Sequence, residues 1–179
     1  MLKTIREVLR TGNATVKYPF APLERPKDAR GKPEHDSEKC FACSACAIAC
    51  PPNAIQTVVD LAAGTKTWSI HYGRCIYCGR CEEVCPTGAL KLGPDFELAV
   101  MSKDDLEELC VYALQACSEC GAYFAPAKAV AYAERILSAR QDADALLARE
   151  SLPLCMDCKQ KQDAYRSWER SREAGELLC

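Results

Sequence analysis

The feature that most constrains this chain is a cysteine run that occurs twice. Cys40, Cys43, Cys46 and Cys50, followed by Pro51, form a C-x2-C-x2-C-x3-C-P run; Cys75, Cys78, Cys81 and Cys85, followed by Pro86, repeat it with the same spacing. Each run supplies four thiolates, one for each iron of a [4Fe–4S] cluster. Three cysteines at this spacing converge from one tight loop. The fourth lies beyond a short helical turn and points away, so in two-cluster chains it serves the other cluster. This crossed arrangement assigns Cys40, Cys43, Cys46 and Cys85 to a first cluster, and Cys75, Cys78, Cys81 and Cys50 to a second. Pro51 and Pro86 stop the helix and turn the chain. Zinc or disulfides at these eight positions is the competing reading, and two full copies of the run with its trailing proline count against it.

The repeat extends past the cysteines. With a period of 35 residues, Cys40–Asp60 overlays Cys75–Asp95, matching Ala54 with Ala89, Asp60 with Asp95 and Ile55 with Leu90. Such a repeat is one supersecondary unit used twice, each copy burying its face against the other. Ile55–Val59 and Thr67–His71 are rich in β-branched and aromatic residues and flank Asp60–Lys66 with its Gly64, the pattern of a hairpin. The expected class is α+β: a two-[4Fe–4S] domain with a pseudo-twofold repeat over residues 35–98, which resembles the bacterial ferredoxin fold, an N-terminal helix and extended arm over 1–34, and a helical region with metal knuckles over 99–179.

With every iron matched to a cysteine, no metal position is left open for a substrate. The clusters should therefore relay electrons, and the chain is not expected to be an enzyme on its own. His35 and His71, the only histidines, are expected to be structural or solvated and not ligands. The chain of 179 residues has 14 Cys but only 4 Phe and 2 Trp, so metal–thiolate bonds are expected to replace part of an apolar core. Residues 1–39 carry 9 basic and 6 acidic groups and residues 99–179 carry 10 and 14. No basic cluster suits nucleic acid. The N-terminus lacks a continuous apolar signal region, and no stretch of 18 apolar residues occurs, so an intracellular, reducing setting is expected.

Leu2, Ile5, Val8 and Leu9 fall near helical spacing, predicting a short amphipathic helix over 2–10 that Gly12 ends. The four prolines at 19, 22, 26 and 33 predict an extended arm, and an arm of this length is expected to lie along another subunit. Beyond residue 100 the pattern reads as helical. Ser102 and Asp105 suggest a cap, followed by Leu106, Leu109, Cys110, Ala113 and Leu114 on one face. A second helix is expected over 126–148 and a third from Lys159 to Trp168.

Cys117, Cys120, Cys155 and Cys158 form two C-x2-C knuckles. A helical hairpin could bring them together as a tetrahedral thiolate site, which suits structural zinc, with a mononuclear iron as the alternative and a third cluster or free thiols behind it. Cys110 is expected to be a buried thiol on a helix face, and Cys179 a mobile terminal one.

The tandem run resembles the bacterial eight-iron ferredoxins. Gly12–Pro19, the Arg30-Gly31-Lys32-Pro33 segment ahead of Cys40, and the run Gly73–Thr87 resemble the ferredoxin-type subunits of complex I and of membrane-bound [NiFe]-hydrogenases. The pair of C-terminal knuckles is similar to that of the iron–sulfur subunit of formate hydrogenlyase and its close relatives. The resemblance implies a peripheral subunit on the cytoplasmic side of a membrane complex. Its expected partners are an upstream iron–sulfur input subunit, the hydrogenase small and large subunits, and a membrane subunit or the membrane face contacted by the 2–10 helix. Formate-derived electrons would pass through two [4Fe–4S] clusters to the small subunit for H2 evolution. The alternatives are a complex I-type relay toward quinone, or a soluble eight-iron ferredoxin.

Overall fold

The computed structural model describes residues 2–13, 15–26, 28–140 and 142–176, with side chains as far as residue 172. Cys179 lies outside the described residues. Helix α1 (Leu2–Thr11) ends where the Gly12 amide, at φ +59°, returns to the Val8 carbonyl (3.1 Å). None of its side chains is buried; Leu2 and Leu9 are 84% and 78% exposed.

The arm does not stand free. Arg25 and Tyr18 both reach the Phe96 ring, and Gly31 donates to the Gly93 carbonyl (2.9 Å). Gly31 is required here, because a Cβ would lie 2.7 Å from that carbonyl oxygen. Strand β1 (Pro33–His35) then pairs antiparallel with β4 (Leu90–Leu92) of the second repeat. The expectation of an arm laid along another subunit is thus corrected for this part of it: its last residues complete a sheet of their own chain, because β4 has an unpaired edge that only an extended segment can satisfy.

Between these strands run α2 (Ala45–Ala49), the hairpin β2 (Ile55–Asp60) and β3 (Thr65–His71), and α3 (Arg80–Glu83). The two copies of the repeat make matching contacts. The Asp36 amide bonds the Ala89 carbonyl and the His71 amide bonds the Ala54 carbonyl, both at 2.8 Å. Ala54 and Ala89, like Ile55 and Leu90, are equally buried. Trp68, Ile55, Ile70 and Pro33 are the largest fully enclosed side chains.

The segment after residue 100 departs from the helical reading. The Ser102/Asp105 capping box forms, but it caps one 3-10 turn, Lys103–Leu106, and not an α-helix. The chain continues as strand β5 (Glu107–Ala116), antiparallel to β3 from His71↔Glu107 to Thr65↔Ala113. The physical reason is the free edge of β3, which offers a full ladder of backbone partners. The side chains obey the twofold period: Tyr112 and Leu114 are buried while Leu109 and Val111 are exposed. Cys110 is therefore a half-buried strand residue, not a thiol on a helix face. Strand β6 (Tyr123–Pro126) completes the order β2-β3-β5-β6.

The helix expected over 126–148 is two helices, α4 (Ala127–Ser138) and α5 (Ala143–Ser151). Asp142 causes the break by capping α5 through the Ala145 amide (2.7 Å), since an N-cap residue cannot itself be helical. The last helix, α6 (Met156–Glu176), starts earlier and runs longer than the expected 159–168. Among the described residues no helix is long and apolar enough to cross a membrane.

Candidate metal centres

The core cysteines are gathered in two sets. Cys40, Cys43, Cys46 and Cys85 line one cavity with Trp68, Thr87 and Leu90. Cys50, Cys75, Cys78 and Cys81 line a second with Pro33, Pro52 and Ile55. Each set takes three sulfurs from one run and one from the other, and the two cavities are matched in size.

The loops that present these thiols are forced into the left-handed region. Ala42 and Tyr77, at matching repeat positions, have φ +57° and +53°; Ser44 and Gly79 have +69° and +82°. This turns backbone amides inward onto sulfur. Ala42 donates to Cys40 Sγ and Tyr77 to Cys75 Sγ, both at 3.4 Å. Ala54 donates to Cys50 Sγ and Ala89 to Cys85 Sγ, both at 3.2 Å. Each loop also carries one cation on a carbonyl: Lys66 Nζ on Ala42 O (2.8 Å) and Arg30 Nη1 on Cys78 O (3.0 Å).

Burial pushes the Cys46 and Cys75 thiols up and takes Cys81 to about 11. Burial acts on Cys85 the same way, but hydrogen bonds from the Leu90 amide, the Thr87 hydroxyl and the Thr87 and Ala89 amides outweigh it and lower this thiol. An apolar cavity walled by four soft donors, with amides aimed at sulfur, fits a polynuclear iron–sulfide group: metal charge must offset the cost of burying thiolates.

The C-terminal knuckles are organised differently. Cys117–Cys120 turns between β5 and β6, and Cys155–Cys158 lies at the start of α6. A β-hairpin faces a helix, so the helical hairpin expected from sequence is corrected with the reassignment of β5. The sulfurs of Cys117, Cys120, Cys155 and Cys158 all lie within 4.8 Å of one another, with Cys120 Sγ 3.6 Å from Cys155 Sγ. A tetrahedral site with metal–sulfur bonds of about 2.3 Å sets its sulfurs about 3.8 Å apart. This fits one metal ion and is too tight for a third cluster. Among the described residues no other three potential ligands converge so closely, so the cavity-lining cysteines surround a larger space. The amides of Cys120 and Cys155 push Cys117 down to about 6, readying one thiolate for a metal. Leu154 and Phe124 pack around the group.

His35 stacks on Trp68 at a centroid distance of 3.9 Å, and its Nε2 meets the Tyr112 hydroxyl (3.3 Å). Burial lowers its imidazole despite the opposing carboxylates of Glu108 and Asp36. His71 Nδ1 is buried without a partner. Neither lines a cysteine cavity. Sequence reasoning missed Arg30, Lys66, Trp68, Thr87 and Tyr112 around the cavities. The 35-residue register could have found Trp68 and Thr87; Tyr112 was hidden by the helical reading of β5.

Residues 21–89 match the 4Fe-4S dicluster domain, so the class of protein is an iron–sulfur protein with a dicluster domain. The chain is 43% identical to formate hydrogenlyase subunit 6 of Escherichia coli (strain K12) over 162 residues, 90% of each chain. It belongs to the family of that subunit. NADH-quinone oxidoreductase subunit I 1 of Koribacter versatilis (strain Ellin345) is 40% identical over 98 residues, 48% of this chain and 64% of that one. NAD(P)H-quinone oxidoreductase subunit I of Prochlorococcus marinus (strain AS9601) is 38% identical over 105 residues, 55% of this chain and 50% of its own length. A solved chain of the membrane-bound sulfane sulfur reductase, an archaeal respiratory membrane complex, overlays at a TM-score of 0.44 with 29% identity, covering 57% of this chain and 56% of that one. The formate hydrogenlyase and quinone-oxidoreductase relatives are subunits of multi-subunit oxidoreductases.

Proposed function

We propose that this chain is the electron-relay subunit of a membrane-bound [NiFe]-hydrogenase complex of the formate hydrogenlyase type. One observation carries the reading. The 162 residues shared with formate hydrogenlyase subunit 6 must include both knuckles, whereas the matches to subunit I of the quinone oxidoreductases span only 98 and 105 residues. On this reading formate-derived electrons reach the chain from an iron–sulfur input subunit and leave to the hydrogenase small subunit, beside the large subunit, at the cytoplasmic face of the membrane.

Cys40, Cys43, Cys46 and Cys85 would hold one [4Fe–4S] cluster, and Cys75, Cys78, Cys81 and Cys50 the other, in a ferredoxin fold of pseudo-twofold design over residues 35–98. When bound, these groups supply one-electron carriage. The chain's own residues supply the conditions for it. Leu90 and Trp68 on one side, and Ile55 and Pro33 on the other, give the sulfurs an apolar wall. The inward amides and the two loop cations favour the reduced, more negative state. Cys117, Cys120, Cys155 and Cys158 would hold one structural ion, zinc or iron, that joins β5–β6 to α6. The uncovered apolar face of α1 suits a membrane subunit or the membrane face and would be wasted on a diffusing carrier.

Anaerobic purification of the tagged chain from its native host, with partners identified by mass spectrometry, tests the reading. Hydrogenase large and small subunits in fixed ratio are expected. Quinone-oxidoreductase subunits in their place would move the acceptor to quinone, and a lone monomer would favour the soluble carrier.

A further inference from the structure

The two cysteine cavities share a matched pair of backbone donors and differ in their side-chain donors. Each receives one amide-to-sulfur bond of 3.4 Å and one of 3.2 Å at matching repeat positions, with the Leu90 and Thr87 amides also turned to Cys85 of the first, and each of their loops holds one cation on a carbonyl. The nearby Arg80 at the second cavity is already met by Glu83 (2.6 Å). The matched amide pairs and the two loop cations therefore leave little to separate the two.

Side chains break the match. Trp68 lines the first cavity and is 1% exposed. Its indole N–H is buried and without a hydrogen-bond partner in this structure, in the wall of the cavity that Cys46 also lines, and the indole works against burial to hold the Cys46 thiol down. One repeat earlier, the matching residue is Pro33, which lines the second cavity and has no N–H. The Thr87 hydroxyl sits 3.7 Å from Cys85 Sγ in the first cavity. Its counterpart, 35 residues earlier, is Pro52 in the second, again without a donor. A second hydroxyl, from Tyr112 on β5, meets His35 (3.3 Å) and has its own ionisation held up by Cys40 nearby; β5 lies outside the repeat and has no counterpart.

Hydrogen bonds to the sulfurs of an iron–sulfur group stabilise its reduced form more than its oxidised form, because the reduced form carries more negative charge. We infer that the first cavity holds the higher-potential of the two clusters, and that Trp68 and Thr87 set the difference. The inference rests on the crossed ligand sets proposed above. An electron delivered to the pair then settles on the first cavity, reducing that cluster by one electron as the second is reoxidised, with no bond made or broken. Trp68 and Thr87 are potential-setting residues; neither is a ligand.

The test is a redox titration of the anaerobically purified, cluster-loaded full chain followed by electron paramagnetic resonance, after assay of acid-labile sulfide. Wild type is expected to hold about eight labile sulfides and to show two separate midpoints. Trp68→Phe and Thr87→Val should each lower the upper midpoint and leave the lower one in place. Pro52→Thr, which installs the missing hydroxyl, should raise the lower midpoint. The upper-potential signal should also show a deuterium-exchangeable proton coupling that Trp68→Phe removes, which a merely structural role for the indole would not predict. An upper midpoint unmoved in Thr87→Val and Trp68→Phe, or movement of the lower midpoint instead, overturns the inference. If Trp68→Phe fails to load, Thr87→Val and Pro52→Thr decide it by the same criteria. A wild-type chain with about four labile sulfides overturns the two-cluster reading itself, an outcome separate from any midpoint shift.

Discussion

In the core, eight thiols are held apart around two apolar cavities by loops bent into the left-handed region. In the C-terminal segment, four thiols close to within 4.8 Å of one another between a β-hairpin and the first turn of a helix. The ligand atom is the same, and the spacing between sulfurs decides what can be bound. Wide sets suit a polynuclear group that changes charge; a tight set suits one ion that fixes geometry. The contrast extends to packing. The core around Trp68, Ile55, Ile70 and Tyr112 is continuous, whereas the knuckle cluster is small, with Leu154 its one buried residue besides cysteine among the described residues.

The largest way to break this comparison is Cys78→Ser. It should reduce electron transfer through the assembled complex to background and remove one cluster's paramagnetic signal, while the C-terminal ion stays bound. Normal turnover in a variant lacking an intact cluster would remove the relay reading. Cys155→Ser should do the reverse. It should release the single ion and expose residues beyond 99 to proteolysis, since binding energy at a structural site is folding energy, yet leave labile sulfide unchanged. Equal melting of this variant and wild type would end the structural role of the site.

Packing gives a finer contrast. Ile70→Ala and Leu154→Ala should each cost about 2–5 kcal/mol in chemical unfolding. The first should loosen clusters and the second should loosen only the knuckle ion. The smallest effect is a pH dependence at His35. Its imidazole is lowered by burial in the folded chain, so as pH falls below about 6.5 the unfolded chain takes up a proton that the folded chain refuses. Stability should fall with pH through that window, stay flat above it, and level off below the folded-state value. Melting of His35→Gln should lack this slope.

Much of the core was legible because its signals are local. The hairpin expected at 55–59 and 67–71 forms as β2 and β3, and the 35-residue register predicts which residues make equivalent contacts. The C-terminal segment was less legible. Leu106, Leu109, Cys110, Ala113 and Leu114 satisfy a helical period, yet Cys110, Tyr112 and Leu114 satisfy an alternating one, and a short apolar run cannot choose between them. The edge of β3 chose. Likewise Asp142 could be read as an ordinary helix residue until its side chain turned back to cap α5.

By itself the sequence determined the cysteine inventory, the duplication and the helix-stopping prolines, because these depend on residue type and spacing along one short loop. Only the tertiary structure decided that β1 of the arm completes a sheet with β4, that β5 extends the core hairpin, and that Trp68 and Thr87 face one cavity while Pro33 and Pro52 face the other. Those outcomes depend on unsatisfied strand edges and on side chains meeting across tens of residues, where the free energy belongs to the pair and not to either segment alone.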